Sequence, residues 1–80
     1  MVKKEILGKE FNLKDLDNEI QSITESTTSL FDDEDDCIAQ NSCSYYIKED
    51  NEIVVAWDVI EKDEDSNLYT EVKVTDIFRY

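Results

Sequence analysis

The spacing of apolar residues changes once along the chain, and this change limits the fold to a helix followed by strands. Between residues 13 and 30, apolar residues recur at steps of three and four, which is the period of an amphipathic helix. Over residues 43–48 and again over residues 68–79 the period is two, as in strands with one buried face, and residues 53–60 between them form a β-branched and aromatic run. The sequence predicts an α+β domain in which one N-terminal helix packs on a three-stranded antiparallel β-meander.

The predicted helix spans residues 12–30 and begins beside a good capping residue. Asn12 is a favoured N-cap, and Phe11 precedes it where an apolar residue packs onto Leu16 in the first turn. The polar side of the pattern, which includes Asp17, is expected to face away from the core. β-branched and hydroxyl residues over positions 24–29 favour an end of the helix near residues 26 to 30. Residues 31–42 are therefore expected to form an acidic and polar loop.

Three strands are expected within residues 43–80, separated by turns at Glu49-Asp50-Asn51 and at residues 63–67. The β-branched and aromatic run over residues 53–60 is predicted to be the central strand. The last strand is expected to place one alternating set on the core face: Leu68, Thr70, Val72, Val74 and Phe78. Residues 1–11 are expected to form a short strand and a turn at Gly8, which adopts positive φ without a steric penalty.

The chain carries 21 Asp and Glu against 8 Lys and Arg and has no His, which gives a net charge of −13. A magnitude of about 2 to 8 is sufficient for the solubility of a small domain. Residues 15–65 hold 17 acidic residues against Lys48 and Lys62, for −15, whereas residues 1–14 carry +2. This charge excludes binding to nucleic acid by neutralisation of phosphates and argues against an anionic membrane as the partner.

Eighty residues are sufficient for one small domain. No apolar run approaches the roughly 20 residues that span a bilayer, and the first residues lack the apolar stretch of a signal peptide. The expected location is therefore the cytoplasm.

Most enzymatic mechanisms lack their required residues in this chain. Without His there is no imidazole base, no Ser-His or Cys-His pair and no histidine metal ligand. Asp63, Asp65 and Asn67 have the spacing of the first half of a calcium loop. However, Leu68 stands where that loop needs Gly, and Val74 stands where it needs Glu. We expect no catalytic residue, no cofactor and no metal.

Cys37 and Cys43 leave three states open: a disulfide, a metal site shared between two chains, or reduced thiols. Reduced thiols are expected, because two thiolates do not complete a tetrahedral zinc site and structural disulfides are uncommon in the cytoplasm. The strand pattern predicts that Cys43 faces the core and that Cys37 is partly exposed.

Three acidic clusters and two tyrosines form the predicted partner-binding surface. The clusters are Asp32, Asp33, Glu34, Asp35 and Asp36 in the loop; Glu49, Asp50 and Glu52 at one turn; and Glu61, Asp63, Glu64 and Asp65 at the next. Tyr46 and Tyr69 are expected on exposed strand faces, and tyrosine is enriched at interface hot spots. The two turns lie at opposite ends of the central strand, so we expect an elongated ridge or two patches.

In size, charge, α+β character and the acidic runs at residues 32–36 and 63–65, the chain resembles the small acidic inhibitors that phages and mobile elements encode. This class includes anti-CRISPR proteins, restriction inhibitors and the uracil-DNA glycosylase inhibitor. The resemblance implies a non-enzymatic DNA mimic that blocks the nucleic-acid-binding groove of a target nuclease in the host-cell cytoplasm, for example a CRISPR-Cas effector.

Two other functions stay open on the sequence. The chain has the electrostatics of an immunity protein or antitoxin that neutralises a basic toxin, and of an acidic regulatory domain that binds a basic protein unrelated to nucleic acid. In each case the partner is a basic protein surface, with no direct binding to nucleic acid or membrane. The chain itself is expected to be a monomer or a weak homodimer, since like charges oppose association.

The midpoint of thermal unfolding is expected to rise when NaCl is raised from about 0.01 M to about 0.15 M. The Debye length then falls from about 30 Å to about 8 Å, which screens the repulsion among the excess carboxylates. Sucrose at the same osmolarity is the control for melts followed by circular dichroism. A midpoint that does not rise with salt, or that rises equally with sucrose, contradicts this prediction.

Overall fold

A four-stranded antiparallel sheet is the centre of residues 6–48 and 51–79, which are the residues that the computed structural model describes. The strands are β1 (Glu10–Asn12), β2 (Ser42–Lys48), β3 (Asn51–Glu61) and β4 (Glu71–Arg79). The helices are α1 (Leu13–Thr24) and α2 (Glu34–Gln40), with 3₁₀ turns at Leu30–Asp33 and Asn67–Tyr69. The strand order is β1-β4-β3-β2. The α+β class, the antiparallel β2-β3-β4 meander and the short N-terminal strand are as predicted.

β1 leads directly into α1 at Asn12, as the capping pattern predicts. The Asn12 side chain accepts a hydrogen bond from the Asp15 N–H at 2.7 Å, so the cap stabilises the first turn. Gly8 has a φ of 79° and donates its N–H to the Val74 carbonyl at 2.9 Å. The predicted turn is therefore present, and the strand that follows it extends one residue past the predicted limit. The part of this prediction that concerns residues 1–5 lies outside the described residues.

α1 ends at Thr24, six residues before the predicted limit. The Thr24 hydroxyl donates to the Ile20 carbonyl at 2.7 Å, and Glu25 takes the left-handed conformation with a φ of 59°. Ser and Thr side chains compete for backbone hydrogen bonds in this way, which disfavours continuation of the helix. Leu30 is still buried, but it lies in the following 3₁₀ turn.

The acidic run is helical, so the prediction of a loop over residues 31–42 is wrong. Ser29 and Asp32 form a reciprocal capping box at the start of the 3₁₀ turn, with the Asp32 carboxylate 3.0 Å from the Ser29 N–H. The acidic residues at 34–36 then occupy the first turn of α2, where the helix dipole favours negative charge. Cys37 is buried in the core, and Ile38 packs against that core.

β4 departs from simple alternation at a bulge. Ala56 pairs with Asp76 and Trp57 pairs with Val74, so Thr75 is an extra residue that reverses which side chains face the core. Ile77 is buried and Phe78 is 49% exposed, which corrects the predicted core position of Phe78. The strand also begins later than predicted, because residues 67–69 form a 3₁₀ turn.

Asp17 is the one buried carboxylate among residues 6–48 and 51–79, which corrects its predicted place on the exposed side of the helix. One of its oxygens accepts hydrogen bonds from the Tyr45 hydroxyl and the Leu30 N–H, each at 2.7 Å. The other oxygen accepts a hydrogen bond from the Ser29 hydroxyl at 2.8 Å. Asp17 therefore joins α1 both to β2 and to the segment that carries the acidic run.

Replacing Asp17 by Asn is expected to lower the free energy of unfolding by about 2–4 kcal/mol. The amide removes the charge from three hydrogen bonds and turns an NH₂ group toward at least one donor. Urea denaturation measures the loss, and Tyr45→Phe, which deletes one of the three bonds, is expected to cost about 1–2 kcal/mol. Asp58→Asn, at an exposed strand position, is the control. Equal stability of the Asp17 and Asp58 variants would contradict this role.

Candidate functional site

The N-terminal end of α2 lies beside the turn between β3 and β4. The Asn67 side-chain amide donates to the Glu34 carboxylate at 2.8 Å. Glu34 also lines a shallow depression together with Asp63, Glu64 and Asp65. The structure therefore joins two of the three predicted acidic clusters, which are about 30 residues apart in the sequence.

Local hydrogen bonds define the shape of the turn in this depression. The Asp63 carboxylate accepts from the backbone N–H groups of Asp65 at 2.9 Å and Ser66 at 3.0 Å. The Thr70 hydroxyl accepts from the Asp63 N–H at 3.1 Å. These hydrogen bonds hold the half-buried Asp63 side chain within the turn, whereas Glu64 and Asp65 are exposed. The exposed pair is therefore the accessible part of this cluster.

The opposite side of the acidic run faces β2. Asp32 and Asp33 line a cleft of about 210 Å³ together with Ser44 and Tyr46. The acidic run thus lies between Tyr46 on one side and the β3–β4 turn on the other. We call the acidic residues of the run, of the turn and of the last position of β3 the acidic band. Its members are Asp32, Asp33, Glu34, Asp35, Asp36, Glu61, Asp63, Glu64 and Asp65.

The remaining predicted residues have different positions. Tyr46 is 58% exposed and pairs in register with Glu52, so both lie on the sheet face that does not form the core. Tyr69 is 52% exposed, but it lies in the 3₁₀ turn before β4 and not on the predicted strand. Glu49 and Asp50 lie outside the described residues.

Little basic charge lies near the band in the sequence. Residues 15–47 contain no Lys or Arg, and Lys62 is the one base between residues 49 and 72. Lys62 lines the same depression as Glu34 and Asp63. Residues 32–36 and 61–65 together hold nine acidic residues and one Lys, so the band is strongly negative.

Cys37 and Cys43 are thiols, and both are buried. The prediction that Cys37 is partly exposed is wrong, because α2 turns this side chain inward at 6% exposure. Burial raises the pKa of both thiols. Burial also raises the pKa of the neighbouring Tyr45 phenol, which in addition donates to Asp17. All three groups are therefore held in their protonated forms.

Comparison of the chain with protein-family models, with curated proteins and with solved structures finds no match. In residues 6–48 and 51–79, no cluster of three or more Cys, Asp or Glu side chains is arranged to hold a metal ion. None of the helices described has the length and apolar character required to cross a bilayer.

The free energy of unfolding is expected to fall as the pH rises above about 9. The unfolded chain ionises Cys37 and Cys43 near 9.0 and Tyr45 near 10.0, whereas burial raises the pKa of these three groups in the folded chain, which retains their protons. Each such group contributes a slope of about −1.4 kcal/mol per pH unit until its folded-state pKa is reached.

Urea denaturation between pH 7 and pH 11 under reducing conditions measures this dependence. Tyr45→Phe removes one of these groups. The slope of the free energy of unfolding above about pH 10 is therefore expected to be less steep by about 1.4 kcal/mol per pH unit. Tyr69→Phe, which removes an exposed phenol hydroxyl, is the matched control. A free energy that is constant up to pH 11 would show that these groups titrate alike in the folded and unfolded chains.

Proposed function

We propose that the protein is a non-enzymatic inhibitor that places its acidic band in the nucleic-acid-binding groove of a target nuclease, for example a CRISPR-Cas effector. The observation that carries the proposal is the junction of two acidic clusters through Asn67 and Glu34. This junction converts two separate runs of the sequence into one extended negative surface. An extended surface of this kind is what a groove built for a phosphate backbone accepts.

The charge density of the protein supports the comparison with nucleic acid. The longest dimension of the described residues is 37 Å. Duplex DNA of that length carries about 20 negative charges, at one per about 1.7 Å. A net charge of −13 on the whole chain is of the same order, and residues 15–65 hold the excess.

The carboxylates of the band are attached to ordered elements. The capping box at Ser29 and Asp32 stabilises one end of the run, and the hydrogen bond from Asn67 holds Glu34. Groups that are already in place lose little conformational entropy on binding. Their combined field also attracts a basic groove over a distance and raises the association rate at low salt.

The test uses purified nucleic-acid enzymes: a guide-loaded CRISPR-Cas effector, restriction endonucleases and a uracil-DNA glycosylase. We expect the protein to inhibit at least one of them, competing DNA to displace it, and its affinity to fall with salt. A complex that still binds nucleic acid normally, or neutralisation of a basic toxin in place of a nuclease, would overturn the proposal.

A charge-matched pair of variants tests whether the band makes the contact. The band variant is Asp33→Asn, Asp35→Asn, Asp36→Asn and Glu64→Gln. It retains Asp32, Glu34 and Asp63, whose hydrogen bonds hold the local structure. The control neutralises four exposed acids elsewhere: Asp15→Asn, Glu19→Gln, Glu25→Gln and Asp58→Asn.

Both variants have a net charge of −9, so long-range attraction changes equally. Inhibition by the band variant is expected to weaken by about tenfold or more, because it loses close charge pairs as well. The control is expected to weaken by about threefold or less. Equal losses in the two variants would place the contact outside the band.

A further inference from the structure

β2 is an edge strand, because the sheet order is β1-β4-β3-β2. An edge strand presents N–H and C=O groups that no neighbouring strand pairs, and proteins commonly cover or block such an edge. The outward groups of β2 can be identified from the hydrogen bonds of its inner side. The Trp57 N–H donates to the Asn41 carbonyl at 3.0 Å.

In an antiparallel ladder the bonded residues alternate along the strand. Asn41 bonds to the β3 side, so Cys43 and Tyr45 do as well, and their register partners on β3 are Val55 and Ile53. The N–H and C=O groups of Ser42, Ser44 and Tyr46 consequently point away from β3.

The structure blocks the outer edge at Tyr46. The Ser26 hydroxyl donates to the Tyr46 carbonyl at 2.8 Å, and the Tyr46 N–H donates to the Thr28 hydroxyl at 3.4 Å. Both caps come from the segment after α1, and Ser26 is buried. This end of the edge is therefore unavailable to another strand.

The edge is open at Ser42 and Ser44. Both residues line the cleft of about 210 Å³ that also contains Asp32 and Asp33. The Ser44 carbonyl has one weak contact, with the Cys43 thiol at 3.7 Å. No residue within 6–48 or 51–79 accepts a hydrogen bond from the Ser44 N–H. The sheet thus ends in a short unpaired stretch beside two carboxylates.

Charge determines which kind of chain fits this edge. A second copy of the protein would bring another −13 to a cleft that already contains Asp32 and Asp33. A segment that carries Lys or Arg gains attraction from the same two carboxylates, and Arg forms paired hydrogen bonds with a carboxylate. Charge complementarity therefore favours a basic segment over self-association.

We propose that the outer edge of β2 at Ser42–Ser44 accepts a short extended segment of the basic partner by strand addition, with a Lys or Arg side chain bound at Asp32 and Asp33. The inference rests on the proposed function, because the segment belongs to the same basic target. Pairing to the Ser44 backbone fixes the register of the complex, while the acidic band supplies the attraction.

The probe is a synthetic heptapeptide of alternating Arg and Val with blocked ends. Its matched control has the same sequence with N-methyl groups on the backbone nitrogens along one edge. The control retains every charge but cannot donate on the edge that would face β2. We expect the unmodified peptide to bind at least about tenfold more tightly by calorimetry, since the control cannot donate hydrogen bonds to the Ser42 and Ser44 carbonyls.

Amide NMR of the protein locates the contact. The unmodified peptide is expected to shift the Ser42 and Ser44 N–H signals and to protect the Ser44 N–H from hydrogen exchange. Equal affinity of the two peptides, or shifts confined to residues away from β2, would overturn strand addition. These measurements use the wild-type protein, so they do not depend on the folding of any variant.

Ser44→Pro separates this inference from the proposed function. Proline removes the Ser44 N–H at an edge position that no described residue bonds, leaves the charge at −13, and is tolerated best at such edges. Circular dichroism checks the fold of the variant. We expect Ser44→Pro to weaken inhibition of the target nuclease by about tenfold.

The two ideas fail separately. If Ser44→Pro inhibits as well as wild type while the band variant does not, strand addition is wrong and the inhibitor function stands. If no nuclease is inhibited but the peptide still pairs with β2, the edge site stands and the inhibitor function is wrong. A wild-type dimer in sedimentation that Ser44→Pro abolishes would identify a second copy as the occupant and overturn the basic segment.

Discussion

The arrangement of this small domain depends on one buried carboxylate. Asp17 accepts three hydrogen bonds, from the hydroxyls of Tyr45 and Ser29 and from the Leu30 N–H. These donors come from β2 and from the segment that starts the acidic run, so one side chain fixes three parts of the chain relative to each other. Burying a carboxylate costs free energy unless hydrogen bonds replace its water, and three short bonds provide that replacement. Ser29 has a second role, since it also caps the 3₁₀ turn. The position of the acidic run at residues 32–36 therefore follows from a contact inside the core.

The sequence was a good guide to features that depend on neighbouring residues. The Asn12 cap requires only a suitable side chain before a helical pattern, and it lies where the pattern predicts it. The antiparallel β2-β3-β4 meander likewise follows from alternation and short polar turns. Features that depend on distant partners could not be predicted in this way. From the helical pattern alone, an aspartate at position 17 is predicted to be exposed. Its burial depends on the hydroxyls of Tyr45 and Ser29, which are distant in the sequence. The residues before Thr75 alternate regularly, so nothing in the sequence indicates the bulge at this position. The alternation therefore does not predict the burial of Ile77.

The acidic residues of the candidate site were identifiable from the sequence, but their arrangement was not. Five consecutive acids suggest a solvated loop, because mutual repulsion favours an extended chain. In the fold, Ser29 and Asp32 cap the 3₁₀ turn, and acids at the start of α2 gain from the helix dipole. Repulsion is thereby offset locally, and the run becomes helical. The contact between Asn67 and Glu34 joins residues 33 positions apart, and no local pattern in the sequence indicates it. The continuity of the acidic band is therefore a tertiary property.

The same negative charge affects the open edge of β2 in two ways. An unpaired strand edge promotes association with other chains, and small domains usually limit this risk with charged side chains. Here Asp32 and Asp33 lie beside the open Ser42–Ser44 stretch, so their charge opposes the approach of another copy of this acidic chain. For a basic chain the same two carboxylates are attractive, and they lie beside backbone groups of β2 that are already in position to pair. Capping by Ser26 and Thr28 restricts the contact to a few residues. In the proposed complex, charge therefore favours a basic partner, and the short open edge limits how its segment can align.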